Sequence, residues 1–93
     1  MTTLMITHEI EDAARWDKAW KKGPGGRHEL FAQRGMKAST FHDPKNPLQR
    51  GLVVEVPDVA TLEAFLKSPD AQKAMQEDGV KPETIQMLME FTP

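Results

Sequence analysis

Alternation of apolar and polar residues occurs in four separate segments of this chain, and it constrains the fold more than any other feature. Residues Thr3–Ile10 alternate strictly, which predicts a strand with one buried face. Met36–His42, Leu48–Val56 and Glu83–Phe91 predict three more strands. After the first strand and again after the third, apolar residues recur at helical spacing, which predicts a helix in each place. The predicted order is therefore strand, helix, strand, strand, helix, strand.

Both helical stretches carry start signals and an internal break. Asp12 and Asp58 are placed to accept hydrogen bonds from the free amides of a first helical turn. Gly23–Gly26 includes Pro24 and interrupts the first stretch, because proline lacks a donor and glycine is entropically costly in a helix. We predict that helix resumes over Arg27–Arg34. In the second stretch, Ser68 followed by proline predicts a restarted helix.

This order is the ferredoxin-like βαββαβ plan. The 93 residues suffice for one domain, and we assign residues 1–93 to it. We predict an α+β fold with a four-stranded antiparallel sheet, strand order 4-1-3-2, and helices on one face. The side chains expected beneath the helices are Leu4, Ile6, Val54, Val56, Ile85, Met87 and Met89.

The other face of the predicted sheet is too apolar to face water. Met5, Phe41, Val53 and Leu88 fall on it by parity, mixed with polar residues. An exposed apolar patch of several hundred Å² usually marks an interface. We therefore predict a homodimer that packs sheet against sheet.

Composition excludes several classes of function. The net charge is −2 with both signs scattered along the chain, unlike the basic patch of a nucleic-acid binder. There is no cysteine, so disulfides and thiolate chemistry are excluded. No stretch approaches the roughly 20 apolar residues of a membrane span. The N-terminal residues do not form a basic segment followed by an apolar run, and we expect a cytoplasmic protein.

Two histidines are predicted at the same end of the sheet. His8 lies near the end of the first strand and His42 near the end of the second, with one strand between them. Their backbones should then be about 10 Å apart, which suits an aromatic ring between two imidazoles better than a shared metal ion. Each could act as a general acid or base near neutral pH. The alternative is that both are half-exposed strand-end residues with local hydrogen bonds, and no metal site is predicted.

Aromatic side chains on the first helical stretch are candidate ligand-binding residues. Trp16 and Trp20 could form one wall of an aromatic-binding cleft, or they could simply pack in the core of an amphipathic helix. Phe31 is expected over the core and at the pocket. His28 reaches the pocket only if the glycine break redirects the chain, and otherwise lies on the helix surface.

The chain also resembles the dimeric α/β-barrel superfamily over nearly its whole length. The motifs are Asp12-x-x-x-Trp16-x-x-x-Trp20 after a strand, Leu62–Asp70, and Ala74–Val80 running into the last strand. The chain departs from the common pattern at Gly23–Gly26, where many relatives keep a continuous helix. The Asn-Trp-His set of the haem-degrading members is not matched, because only Trp16 and the histidines are available and the expected stretches contain no asparagine.

The resemblance implies a small-molecule-binding homodimer without a cofactor. By analogy with antibiotic-biosynthesis monooxygenases, it implies cofactor-independent oxygenation or isomerisation of an aromatic or polyketide-like compound, with His8 or His42 moving a proton and Trp16 holding the ring. Such scaffolds host many functions, so fold alone does not set the reaction. The alternative is a non-catalytic dimeric module that binds a metabolite or another protein.

Overall fold

The computed structural model describes all 93 residues, Met1–Pro93, as one antiparallel sheet covered on one face by helices. The elements, in chain order, are β1 Thr2–Glu9, α1 Ala13–Ala19, α2 Arg27–Ala32, β2 Lys37–Asp43, β3 Asn46–Val56, α3 Val59–Lys67, α4 Pro69–Asp78, a short 3-10 helix Pro82–Thr84, and β4 Gln86–Met89. The strand order is β2-β3-β1-β4, which is the predicted order read from the other edge. The predicted ferredoxin-like α+β fold is confirmed. None of the helices has the length and apolar character needed to cross a bilayer.

Local capping explains where the helices begin. The side chains of Asp12, Asp58 and Ser68 each accept a hydrogen bond from the main-chain N–H three residues later. Each bond satisfies a donor that the first helical turn leaves free. Gly79 ends α4 in the left-handed conformation with φ of 76°, where a side chain would be strained. The predicted break at Gly23–Gly26 separates α1 from α2, although α2 ends at Ala32, two residues before the predicted end.

The β2–β3 connection is shorter than the sequence predicts. The predicted five-residue link Asp43–Pro47 is wrong, because the strands continue until Asp43 pairs with Asn46. Asp43 Oδ1 accepts from the Lys45 N–H at 2.8 Å and stabilises the tight turn. Pro47 is tolerated in β3 because β1 pairs with β3 only from Gln49 onward, so no ladder bond is lost there.

The last strand is shorter than predicted at both ends. The segment Pro82–Thr84 is a 3-10 turn rather than strand, and Thr84 Oγ1 accepts from the Glu9 N–H at 2.8 Å. β4 then pairs with β1 over four residues, Gln86–Met89. Met89 lies on the helix side of this edge strand but remains 60% exposed, so it adds little to the core.

The core lies between the sheet and the helices, as the alternation predicts. Its members share even parity on β1 and β3 or face the sheet from a helix. The buried residues of this cluster are Leu4, Ile6, Ile10, Trp16, Trp20, Phe31, Leu52, Val54, Val56, Leu62, Phe65 and Ala71, to which Met36 just before β2 and Ala38 within it are added. The opposite face of the sheet has no covering element, and Met5, Phe41 and Leu88 are exposed there.

Candidate functional site

His8 is buried at the end of β1, directly beneath α1. It shares parity with Leu4 and Ile6, so its imidazole points under the helices and is only 4% exposed. The cap at Asp12 starts α1 in a position that places Trp16 above it. The Trp16 indole Nε1–H donates to His8 Nε2 at 3.1 Å, in a buried setting. The sequence therefore brings these two predicted site residues into direct contact.

The hydrogen bond from Trp16 defines the chemistry of His8. An indole N–H is only a donor, so His8 Nε2 must be the unprotonated nitrogen of a neutral ring, and the proton is on Nδ1. Burial, and after it the positive charge of Arg50, lower the pKa of His8 to about 4. Nδ1 has no hydrogen-bond partner within the chain and is not sealed from open space. At neutral pH, His8 is thus an uncharged side chain with one free donor.

Arg50 occupies the position between the two predicted histidines. It lies opposite His8 on β1 and opposite His42 on β2 in the same row of the sheet. Its guanidinium is 4.9 Å from the Trp16 ring centroid and donates to the Asp17 carboxylate, and the side chain is almost fully buried. The prediction that an aromatic ring could lie between the two imidazoles is therefore wrong for the protomer, because Arg50 fills the space between His8 and His42.

His42 and His28 lie outside the space around His8. His42 is exposed on the far side of Arg50. His28 is half-buried on α2, with its ring edge-on to Trp20 at 5.2 Å between centroids. The glycine break therefore does not redirect His28 into the interior. The sequence does not bring these two residues together with His8.

A small cavity lies between the sheet and the helices, beside His8. Its volume is about 50 Å³, and its lining is mostly apolar. A water molecule occupies about 30 Å³ in the liquid, whereas a cavity that binds benzene measures about 150 Å³. The space thus holds one or two very small molecules in this conformation. The residues that line it are Ile6, His8, Trp16, Trp20, Arg27, Leu30, Phe31, Leu52, Phe65, Leu66, Ala71, Ala74, Met75, Asp78, Val80 and Ile85.

Three of the four predicted ligand-binding side chains line this cavity. Trp16 stacks on Trp20 at 5.5 Å between ring centroids, and Trp20 packs against Phe31 at 5.3 Å. Phe31 in turn meets Phe65 edge-on at 4.9 Å. These rings belong to the hydrophobic core and to the cavity wall at once. Core packing, one of the two interpretations that the sequence leaves open, is confirmed for these rings, and their binding of a ligand stays a prediction.

Arg27 and Asp78 are the two charged residues on the cavity wall, and they form an ion pair that was not predicted from the sequence. Arg27 Nε donates to both carboxylate oxygens of Asp78 at 3.0 Å, and Nη2 donates to Oδ1 at 2.7 Å. Burial raises the pKa of Asp78, while the hydrogen bonds from Arg27 counteract part of that shift. Asp78 is the last residue of α4, where a negative charge opposes the helix dipole. An acid in that unfavourable position was a signal that a specific cation lies nearby.

The sheet, its strand order and the two interrupted helical segments on one of its faces define a ferredoxin-like domain. Among solved structures, a protein named antibiotic biosynthesis monooxygenase matches with a TM-score of 0.72 at 16% identity, covering all of both chains. A second solved structure, of a protein from Deinococcus radiodurans to which the same name is provisionally given, has a TM-score of 0.63 at 14% identity. The match covers all of this chain and 93% of the other. The predicted likeness is confirmed at the level of fold. The sequence matches no protein-family model and no curated protein.

Protonation of His8 should make the protein less stable in mild acid. An unfolded histidine binds a proton near pH 6.5, but folded His8 does so only near pH 4. The stabilisation is therefore complete above about pH 6.5 and is lost as the pH falls toward 4. Between pH 7.5 and pH 4 we expect the free energy of unfolding to fall by about 2 kcal/mol more in the wild type than in His8→Gln. The amide oxygen of the glutamine can still accept the hydrogen bond from Trp16.

Urea unfolding from pH 7.5 to pH 4, followed by tryptophan fluorescence, measures this difference. All other titrating groups are shared by the two proteins, so subtracting the two profiles isolates the histidine. Parallel profiles for the wild type and His8→Gln would mean that His8 is not held neutral by the fold.

Proposed function

We propose that this protein is a homodimer that binds a small, mainly apolar molecule at the cavity beside His8. The observation that supports this most directly is a buried, neutral imidazole whose Nδ1–H is left without a partner in otherwise apolar surroundings. No side-chain polar atom of the chain is both sealed from solvent and unpaired, so this N–H is reached from open space, where a ligand could accept a hydrogen bond from it. A ligand with one hydrogen-bond acceptor would complete the site.

The proposed ligand is an aromatic compound that carries a carbonyl or phenolic oxygen. Trp16, Trp20 and Phe31 offer ring faces and edges for such a compound, and His8 would donate to its oxygen. A ring needs more than the present 50 Å³, so part of the wall has to move. We assign that movement to α2, because it is only six residues long and follows the glycine-rich break.

The activity we propose is monooxygenation without a cofactor, in line with the names of the two structural neighbours. In such a reaction a phenol and O₂ give a quinone and water, and the electrons that reduce O₂ come from the substrate itself. A donor fixed beside the phenolic oxygen stabilises the negative charge that develops there. Isomerisation of a related compound would use the same donor.

Within this proposal His8 serves as a hydrogen-bond donor rather than as a general base. Its Nε2 already accepts from Trp16, and its lowered pKa makes the ring a weak base at neutral pH. The predicted proton transfer by His42 remains a prediction. In the protomer that imidazole lies beyond Arg50 and lines, with Trp16 and Trp20, a separate open hollow of about 200 Å³, so it would act on a ligand bound there rather than in the cavity beside His8.

A non-catalytic binding module is the second candidate function. The smallness of the cavity favours it, together with the absence of a second proton-transferring group beside His8 other than the ion-paired Asp78. In this case the ligand would stabilise the dimer or present a surface to a partner. Oxygen uptake separates the two functions, because only the enzyme would consume O₂ when mixed with a naphthol and no added metal or flavin.

Homodimerisation is proposed on the open face of the sheet. Met5, Phe41 and Leu88 are between 44% and 56% exposed there, and Val53 lies between them. Shallow hollows flank Met5 on this face and could receive side chains from a second copy. A twofold pairing of these faces would remove the apolar surface of both copies from water at once.

Matched ligands should test the proposed site directly. We expect acetophenone to raise the melting temperature and to quench tryptophan fluorescence more than ethylbenzene does, because only the ketone accepts a hydrogen bond from His8 Nδ1. The preference should be about tenfold in affinity and should shrink in His8→Gln. His42→Gln is the control and should bind like the wild type. Equal binding of both compounds, or loss of binding in the control alone, would contradict the proposal.

A further inference from the structure

A basic cleft lies on the outside of the glycine-rich break, separate from the interior cavity. We use the name basic cleft for the hollow of about 620 Å³ lined by Arg15, Lys18, Lys21, Lys22, Gly23–Gly26 and Arg27, with Glu77 and Asp78. Five basic side chains face two acidic ones, in a chain whose net charge is −2. Positive charge is therefore concentrated at this one place against the trend of the whole molecule.

Most of the cationic groups in the basic cleft are available to a ligand. Lys18, Lys21 and Lys22 form no ion pair within the chain. Arg27 is held in place by Asp78 through Nε and Nη2, yet its Nη1 donates to nothing. Arg15 is the exception, because it caps α4 by donating to the carbonyl oxygens of Gln76 and Glu77. The cleft thus offers three ammonium groups without an ion-pair partner and one guanidinium edge held by Asp78.

The loop that forms the floor of the basic cleft also presents main-chain donors. The N–H groups of Lys21, Lys22, Gly23 and Gly26 make no main-chain hydrogen bond. Gly25 N–H is used by the Glu29 carboxylate at 3.1 Å, which adds one acidic neighbour at the rim. A Cβ on Gly26 would come within 2.9 Å of the Lys21 carbonyl oxygen, so the loop requires glycine there. Free amides next to ammonium groups are a combination that favours oxyanions.

We infer that the basic cleft binds a small molecule through a phosphate group. A phosphate dianion has three oxygens that can contact several separate cations at once, whereas a carboxylate would satisfy fewer of them. Lysines act as compact point charges toward phosphate, and the arginine edge adds directional donors. The negative net charge of the chain, and the gathering of five of its twelve basic side chains at one hollow, favour a small ligand over a nucleic-acid strand.

The inference is independent of the ligand beside His8. Arg27 and Asp78 line both the basic cleft and the interior cavity, so the two spaces share one wall. The probe for the cleft is an inorganic anion, however, and the readout is the glycine loop rather than the tryptophans. Phosphate can thus fail to bind the basic cleft while the ligand still binds beside His8, and the two experiments would distinguish these results.

The experiment is a titration with inorganic phosphate at constant ionic strength, followed by ¹H–¹⁵N spectra. We expect saturable shifts of the Gly23, Gly25 and Gly26 amides, with acetate giving much weaker ones. Affinity should fall about tenfold in the double variant Lys21→Gln and Lys22→Gln, since two charges are lost. The control variant Lys45→Gln and Lys67→Gln carries the same charge change away from the cleft and should lose less than about twofold.

Two results would overturn the inference. Shifts that grow linearly without saturation, or that affect basic surfaces throughout the molecule, would indicate an adventitious ion only. An equal loss of affinity in the two double variants would indicate attraction to overall charge rather than to this cleft. Thermal unfolding of both variants, compared with the wild type, shows that any loss of binding is not a loss of fold.

Discussion

In the proposed sheet-to-sheet dimer, replacing Met5 or Leu88 by glutamate should separate the two subunits and leave a folded monomer. The two side chains are direct neighbours across β1 and β4 on the open face, and both are about half exposed in the protomer. A glutamate there is therefore harmless to the single subunit. In a sheet-to-sheet dimer it would be buried without a partner, which costs several kcal/mol. We expect the dissociation constant of the dimer to rise at least about a hundredfold.

Light scattering coupled to size-exclusion chromatography measures the mass directly, at several micromolar concentrations. Ala64→Glu is the matched control, because it adds the same charge to an exposed position of α3 on the opposite side of the molecule. That variant should remain dimeric. A wild-type protein that elutes as a monomer at these concentrations would contradict the dimer, as would a Met5→Glu protein that keeps the dimer mass.

Local sequence signals were sufficient to predict most of the fold. Asp12, Asp58 and Ser68 act as helix caps through their own side chains, and such bonds depend only on residues three positions away. The parity of β1 likewise follows from its strict alternation. Where the signal was mixed the prediction failed, as at Pro47, which is typical of a loop but lies in β3 at a position that does not pair with β1.

The polar part of the site was less accessible to sequence reasoning. His8 and Trp16 were both selected correctly as neighbours because a strand end and a capped helix start define where they lie. Arg50 was overlooked, since a buried arginine in a strand depends on a distant carboxylate, that of Asp17. Pairs of this kind leave no periodic pattern in the sequence. Parity could have identified the position, because Arg50 shares it with Val54.

Cavity size was beyond prediction for a different reason. It is the small remainder left after large side chains from every element have packed, so a change in one rotamer alters it substantially. The sequence indicated which rings surround the space, namely Trp16, Trp20 and Phe31. It did not indicate that their mutual packing would leave only about 50 Å³. The physical consequence is that a ring-sized ligand of the proposed kind would fit only after the wall has moved.

The buried pair of Arg27 and Asp78 is expected to be the most sensitive polar contact in the structure. Arg27→Leu should lower the free energy of unfolding by about 3 kcal/mol at pH 7, because it leaves the Asp78 carboxyl buried without a partner. Urea unfolding followed by circular dichroism gives this value. Arg34→Leu is the control. Arg34 Nη2 lies 3.4 Å from Asp70 Oδ2, and the Asp70 side chain is largely exposed, so this substitution should lower the free energy of unfolding by less than about 1 kcal/mol.

The pH dependence of Arg27→Leu distinguishes a lost ion pair from lost packing. Burial already raises the pKa of Asp78, and removal of Arg27 removes the interaction that opposes this shift. An acid whose pKa is raised by folding destabilises the folded state as the pH rises above its unfolded value. The deficit of Arg27→Leu should therefore shrink as the pH falls from 7 toward 4. A deficit that is constant over this range would show that Arg27 contributes through its packing against the cavity wall and not through its charge.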